Sequence, residues 1–244
     1  MRTCFVAVRI AATPFTLLYT QIPFLSGALR AGMLQSIEQN HNRYDQTHAS
    51  ALLISRMRST FLQGDIMGTI YFIRHGESKW NVEDRICGAT DVPLTEKGHE
   101  QAVLTGKLFL DLGYNADLIL YSPLIRSADT ARHISEITGI PARAEPRLIE
   151  QNFGIWEGTS PRSSREFHEA KQCFINSFGT GESMFRVAQR VYNLLDDLKK
   201  EDKTFILVAH NGIVRFVKSY FTDMRNEEFA AFKTGNCEIT RFVF

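Results

Sequence analysis

The chain is poor in residues that could tie it together covalently or through a metal. Its 244 residues include four cysteines, Cys4, Cys87, Cys173 and Cys237. None stands in CxxC spacing or in Cys/His ligand spacing, which argues against a zinc site or a disulfide framework and fits reduced thiols in a cytoplasmic protein. An excess of one charge is also missing. Lysine and arginine total 28 and the acids 27, a net charge of +1, so bulk charge makes no case for nucleic acid as a partner. There is no internal repeat of fixed period and no clustering of Asp, Glu and His that would hold a metal. What remains is 44% hydrophobic, enough for one sizeable core.

The deficits are uneven. Residues 1–66 hold six arginines, no lysine and three acids, Glu38, Asp45 and Asp65. Between Arg9 and Arg30 run 20 uncharged residues, IAATPFTLLYTQIPFLSGAL. That length suits a membrane span, but two prolines, a glutamine and three threonines weaken it. The stretch also resembles a signal peptide or an arginine-rich, acid-poor transit peptide. Met67 stands directly before GTIYFIRHGES, as a second start would. Residues 1–66 are therefore expected to be an extension: disordered, an appended start, or a targeting or anchoring segment through residues 1–37. A membrane is expected as a partner only if residues 10–29 anchor the chain. Residues 67–244 are expected to be the working domain, with a short cap insertion around residues 159–183.

From Thr69 the hydrophobic pattern alternates between two periods. TIYFIR, ADLILYS and TFILVAH are short β-rich runs, and CEITRFVF reads as a last strand. TEKGHEQAVLTGKLFLDLG repeats apolar residues at helical spacing behind Thr95, a suitable cap. SPLIRSADTARHISEITG reads as a helix closed by Gly139, FRVAQRVYNLLDDLKKE as an amphipathic helix, and NGIVRFVKSYF as another. Strands alternating with helices predict an α/β fold, a three-layer α/β/α sandwich with a mostly parallel sheet. In such sheets ligands bind beyond the carboxyl ends of the strands. His75 ends the first strand and His210 the third. Gly76 and Gly212 follow and let the backbone turn sharply or come close to a ligand. Arg126 enters from a helix start four residues after LILYS. Arginine is a permanent, forked donor suited to phosphate oxygens. A neutral, well-held imidazole is a nucleophile toward phosphorus. Together they are equipment for phosphoryl transfer, which depends on positioning and charge stabilisation.

Five motifs in order resemble the histidine phosphatase superfamily, the phosphoglycerate mutase-like enzymes, over about residues 69–243: RHGESKWN, CGATDVPLTEKGHEQA, SPLIRSADTA, LIEQNFGIWEG and VAHNGIVR. The resemblance implies that His75 is the nucleophile and that Arg74, Arg126 and His210 hold the phosphoryl oxygens, with Asn81 helping. It implies Glu150 as general acid and then base, and no metal or other cofactor, because the arginines supply the charge. Two positions depart from the pattern. Asn211 stands where glycine is common, and is expected to tolerate a left-handed turn; Ser127 stands where alanine is common. The compact branch that the chain resembles implies hydrolysis of a small phosphorylated metabolite: a sugar phosphate, a phosphoglycerate, a nucleotide-related ester such as α-ribazole phosphate, or a broad set. Phosphoglycerate mutase chemistry is the alternative, and a non-catalytic phosphate-binding protein a further one. A homodimer is compatible with the exposed ends of such a sheet. Glu77 reads as a helix-start residue; it and Glu157 could be mistaken for the general acid, for which the motif match favours Glu150. His99, His133 and His168 read as solvated or capping, Trp80 and Trp156 as packing, and Arg162, Arg165 and Lys171 as a solvated face or a cap that selects extra negative charge.

Overall fold

Strand β1 (Thr69–Arg74) shows how the sequence pattern becomes layers. Successive side chains of a strand point to opposite faces. Ile70 and Phe72 pack on one side with Leu120, Phe205 and Leu207. Tyr71 and Ile73 pack on the other with Ile119, Ile206 and Val208. Both faces are apolar, so both must be covered. The chain is a computed structural model that describes residues 68–161 and 164–244. The expectations about residues 1–66, the 10–29 run included, concern residues outside that set, as does Arg162.

The order after β1 is α1 (Lys79–Val82), α2 (Glu96–Asp111), β2 (Leu118–Tyr121), α3 (Ile125–Thr138), β3 (Ala142–Ala144), α4 (Arg165–Gln172), α5 (Met184–Leu198), β4 (Thr204–Ala209), α6 (Asn211–Phe221), α7 (Asn226–Ala231) and β5 (Ile239–Val243), with short 3-10 turns at Pro146–Leu148 and Gly154–Trp156. The sheet order is β3-β2-β4-β1-β5. All neighbours pair in parallel except β5, which runs antiparallel to β1 along one edge. Helices α5 and α6 cover one face through Val187, Val191, Leu194, Ile213, Val214 and Val217, all fully buried. Helices α2 and α3 cover the other through Phe109, Ala131 and Ile134. Each such side chain contributes about 1.5–3 kcal/mol by leaving water. The expected three-layer α/β/α sandwich with a mostly parallel sheet is the observed one. Strand β3 was not expected: it is three exposed residues, ARA, at a sheet edge, too short and too polar to carry a strand pattern.

The expected caps are present. The Thr95 side chain accepts the Gly98 N–H at 3.1 Å, and Gly139 closes α3 at φ 72°. The 159–183 segment carries α4, which docks through Phe167 onto a satellite core of Ile86, Phe153 and Phe178. No helix among the described residues is long and apolar enough to cross a membrane.

Candidate active site

The site grows from three strand ends in register. Arg74 lies opposite Ala209 across the parallel β1–β4 pair, and the His75 N–H donates to the Ala209 carbonyl at 2.9 Å. His210 follows Ala209 directly, so the two imidazoles leave neighbouring strands at the same edge. Their ring centroids are 5.1 Å apart. Strand β2 ends alongside them, and Ser122 Oγ sits 2.7 Å from His210 Nε2. Both rings are buried, His75 at 5% and His210 at 1% exposure.

Burial and the Arg126 and Arg74 guanidinium groups hold His75 well below the usual imidazole range. Burial, Arg126 and the His75 ring do the same to His210. The rings are therefore neutral at physiological pH, and each keeps one N–H. For His75 the tautomer follows from a single contact. Nδ1 lies 2.7 Å from the Gly76 carbonyl oxygen, which can only accept, so Nδ1 carries the proton and Nε2 keeps its lone pair. The Nδ1 atom of His210 is buried and has no hydrogen-bond partner among the described residues. An arriving oxygen would satisfy it.

Arg126 is wholly buried, and among the described residues no carboxylate pairs with it. Its Nη1 donates to Thr90 O at 2.9 Å and its Nη2 to Gly88 O at 2.7 Å. A guanidinium out of water without a counter-ion is costly to keep, which makes this position a ready anion site. Carbonyls fix the fork, and those carbonyls are fixed in turn. Glu157 accepts from the N–H groups of Gly88, Ala89 and Thr90 at 3.1, 3.0 and 3.3 Å, from Thr90 Oγ1 at 2.7 Å and from Phe153 N–H at 2.9 Å. Glu157 is thus the clamp of the loop that aims Arg126. Its sequence signal, the glutamate of FGIWEG, was visible as a residue that could be mistaken for the general acid, not as a clamp. Ser127 also anchors the site. Its hydroxyl donates to Val208 O at 2.6 Å and ties the first turn of α3 to the end of β4. Arg74 donates from Nη1 to Thr234 O at 2.7 Å.

Glu150 is 6% exposed. Its Oε1 accepts the Gln151 N–H and its Oε2 the Gly212 N–H, both at 2.9 Å. The second bond explains the glycine two residues after His210: a Cβ there would stand 2.3 Å from Glu150 Oε1. Gly76 has an equivalent reason, since its Cβ would strike the Gly98 carbonyl at 2.4 Å. The close approach that both glycines permit is to the protein itself. Asn81 lies at the rim. Its Oδ1 accepts the Ser78 N–H at 3.1 Å, and Asn236 Nδ2 donates to the His75 carbonyl at 2.8 Å. His75, His210, Arg74 and Arg126 thus meet beyond the strand ends, with Glu150 docked against the start of α6 and Asn81 at the edge.

Several expectations need correction. Asn211 is not left-handed; it is the first residue of α6, and its Oδ1 accepts the Thr234 N–H at 3.0 Å. Glu77 stands just before Ser78, the N-cap of α1, and its carboxylate accepts from Thr95 Oγ1 at 3.0 Å and from Lys97 Nζ at 2.9 Å. His99 and His133 bond to each other across α2 and α3, Nδ1 to Nε2 at 3.0 Å. Trp80 carries the Arg85 guanidinium 4.7 Å above its ring, and Trp156 packs on the satellite core, so both tryptophans serve packing as expected. Among the described residues no three His, Cys, Asp or Glu side chains gather as a metal ligand set.

The central strand ends of a parallel sheet deliver two neutral imidazoles beside a buried arginine that, among the described residues, has no carboxylate partner, an arrangement suited to an anion such as a phosphoryl group. The family model described as the histidine phosphatase superfamily (branch 1) matches residues 70–244, and the chain belongs to that superfamily. It is 31% identical over 180 residues to a probable phosphoglycerate mutase GpmB of Erwinia tasmaniensis, covering 70% of this chain and 83% of the relative. It is 31% identical over 183 residues to a putative phosphoserine phosphatase 2 of Hydrogenobacter thermophilus, covering 71% and 88%. Among solved structures, it resembles a mycobacterial glucosyl-3-phosphoglycerate phosphatase in complex with VO3 at TM-score 0.63 and 27% identity, covering 71% of this chain and 90% of that one. It also resembles a phosphoserine phosphatase of Entamoeba histolytica in complex with 3-phosphoglyceric acid at TM-score 0.62 and 29% identity, covering 73% and 91%.

Proposed function

We propose that the chain hydrolyses a small phosphorylated metabolite, a phosphomonoester, through a phosphohistidine on His75 and without a metal ion. The carrying observation is the tautomer of His75. Its ring is neutral, Nδ1 is held by the Gly76 carbonyl, and the lone pair on Nε2 is left to attack. In the first step Nε2 forms a bond to phosphorus as the P–O ester bond breaks. Arg126, Arg74 and the orphaned Nδ1 of His210 take the phosphoryl oxygens, and Asn81 assists from the rim. Glu150, as general acid, hands a proton to the leaving alkoxide. In the second step its carboxylate takes a proton from water, the water oxygen bonds to phosphorus, and the Nε2–P bond breaks. The balance is ester plus water to alcohol plus phosphate. Arginines fixed by backbone carbonyls supply the charge stabilisation without rearrangement during the reaction.

Phosphoglycerate mutase chemistry shares the first step and is the alternative, favoured by the likeness to the GpmB relative. It requires the phosphoryl group to return to substrate before water reaches it. One assay separates them: phosphate release from a panel of phosphomonoesters with a chelator present, for wild type and His75→Ala. Chelator-resistant release that His75→Ala abolishes supports hydrolysis. Isomerisation of phosphoglycerate without release supports the mutase, and neither activity refutes both.

A further inference from the structure

Two cations converge outside the phosphoryl pocket, on the side where Glu150 stands. Lys171 projects from the cap helix α4, with Nζ 5.4 Å from the Phe153 ring centroid and 5.2 Å from that of Phe167. Arg215 lies on α6 three residues past Gly212, whose N–H holds Glu150. Residues three apart share a helix face, so Arg215 sits one turn below that contact. Its Nε donates to the Phe232 carbonyl at 2.8 Å. Both cations line one cavity of about 460 Å³ together with His168, Phe174, Phe229 and Glu227. The only acid of that lining, Glu227, is exposed at the rim, and among the described residues neither cation forms an ion pair.

Two like charges held side by side and partly out of water repel each other and lose hydration. The strain registers on the groups themselves. Burial and the neighbouring Arg215 charge pull the Lys171 amine down to about 8, with Glu150 opposing, and burial lowers Arg215 as well. An anion bound between them would relieve both effects.

Position says which part of a substrate would supply it. Glu150 protonates the leaving oxygen, so the carbon skeleton of the alcohol must extend to Glu150's side of the phosphoryl group. Lys171 and Arg215 lie on that side, each close enough to feel the Glu150 charge. Their aliphatic stems and the Phe174 and Phe229 rings give the cavity an apolar wall for a short carbon chain. We infer that Lys171 and Arg215 form a subsite for a second anionic group, a carboxylate or a second phosphate, on the alcohol portion of the phosphomonoester. This rests on the phosphomonoester reading above and narrows it: the substrate carries two anionic ends, and the far end is read by the cap.

The test compares matched esters that differ only in the far anion. Phosphoserine is set against phosphoethanolamine, which lacks the carboxylate, and propane-1,3-diol bisphosphate against the monophosphate. Wild type, Lys171→Gln, Lys171→Arg and Arg215→Gln are assayed for kcat/KM. Calorimetric binding of the same pairs is read with His75→Ala carrying each cap substitution, so that binding is measured even without turnover. One lost charge-assisted contact corresponds to about a 10- to 100-fold effect. The wild type should prefer the dianionic member of at least one pair by that factor. Lys171→Gln and Arg215→Gln should erase the preference, mainly through KM, and Lys171→Arg should restore it. The pair that responds says whether carboxylate or phosphate is read. His75-dependent hydrolysis with no preference in either pair, or equal losses for both members, overturns the subsite and leaves the hydrolase reading standing. Paired binding preferences with no hydrolysis of any ester sink the hydrolase reading and leave the subsite.

Discussion

Replacing Glu157 by glutamine tests whether the aim of Arg126 depends on a carboxylate that never touches the substrate. The side chain keeps its shape, but one oxygen becomes an NH₂ group. As found, the carboxylate accepts five hydrogen bonds, three on Oε2 and two on Oε1. The amide oxygen serves best at the Oε2 position, which leaves the N–H groups of Ala89 and Phe153 facing another donor. Two bonds to a charged acceptor are worth about 3–6 kcal/mol when water cannot replace them. Glu157 is half-buried, so water recovers part, and a loss of about 2–4 kcal/mol follows. For a domain of this size that is a fall in Tm of roughly 5–15 °C. The loop from Gly88 to Thr90 would loosen, and with it the two carbonyls that hold the Arg126 fork. The kcat should fall about 10- to 100-fold, measured well below the new Tm. Glu150→Gln is the contrast: it should reduce kcat by about 100-fold or more while costing less stability than Glu157→Gln. Calorimetric melting and steady-state kinetics on the two variants decide the matter. A Glu157→Gln protein with wild-type Tm and wild-type kcat would refute the clamp.

Gly212→Ala should push the Glu150 carboxylate away, because the new Cβ would stand 2.3 Å from Oε1; kcat should drop about 100-fold or more while phosphate still binds, read by calorimetry. His75 and His210 both hold fewer protons folded than unfolded below the ordinary value of 6.5. Stability should therefore fall as pH drops below about 6.5, with the pair contributing a slope approaching about 2.7 kcal/mol per pH unit; urea melts from pH 7 to 5 measure it, and the slope should lessen by about 1.4 kcal/mol per pH unit in His210→Ala. The Lys171 amine, faced by Arg215 and Glu150 and sharing its cavity with His168 and Glu227, loses its charge above about 8; affinity for a doubly anionic ester should weaken above that pH in wild type and not in Lys171→Arg. Leu194→Ala, at a fully buried position between α5 and the sheet, should cost about 2–5 kcal/mol in chemical denaturation and leave KM unchanged.

What could be read in advance follows from how local each signal was. Strands β1, β2 and β4 are apolar on both faces, so their runs stand out whatever surrounds them, and the candidate site residues His75 and His210 follow two of those runs directly. His75, His210 and Arg126 were legible because strand ends and helix starts are sequence features. Strand β3 was hidden because ARA at an exposed edge contributes little burial. Glu157 and Ser127 were legible as residues but not as roles, since a clamp acts through the loop 88–90 or the end of β4, each far away in the chain. The His99–His133 pair depended on the packing of α2 against α3, which no periodicity reveals. The turn after His210 differs from its expected form for the opposite reason. Asparagine's tolerance of a left-handed turn is a local rule, whereas the contact between Asn211 and Thr234 that holds it in helix is not local. Lys171 looks like a solvated helix residue until the cap folds Phe153 and Phe167 beneath it.

The most direct test of the mechanism is to trap the covalent intermediate. Enzyme mixed with a turned-over phosphomonoester in the presence of a chelator is quenched in alkali within milliseconds, digested, and its peptides mapped by mass spectrometry. The mechanism predicts one acid-labile, alkali-stable phosphoryl group on Nε2 of His75, absent in His75→Ala and accumulating in Glu150→Gln whenever an ester with a good leaving group bypasses the need for the acid. Hydrolysis that continues in His75→Ala, or that stops when metal is removed, would contradict it.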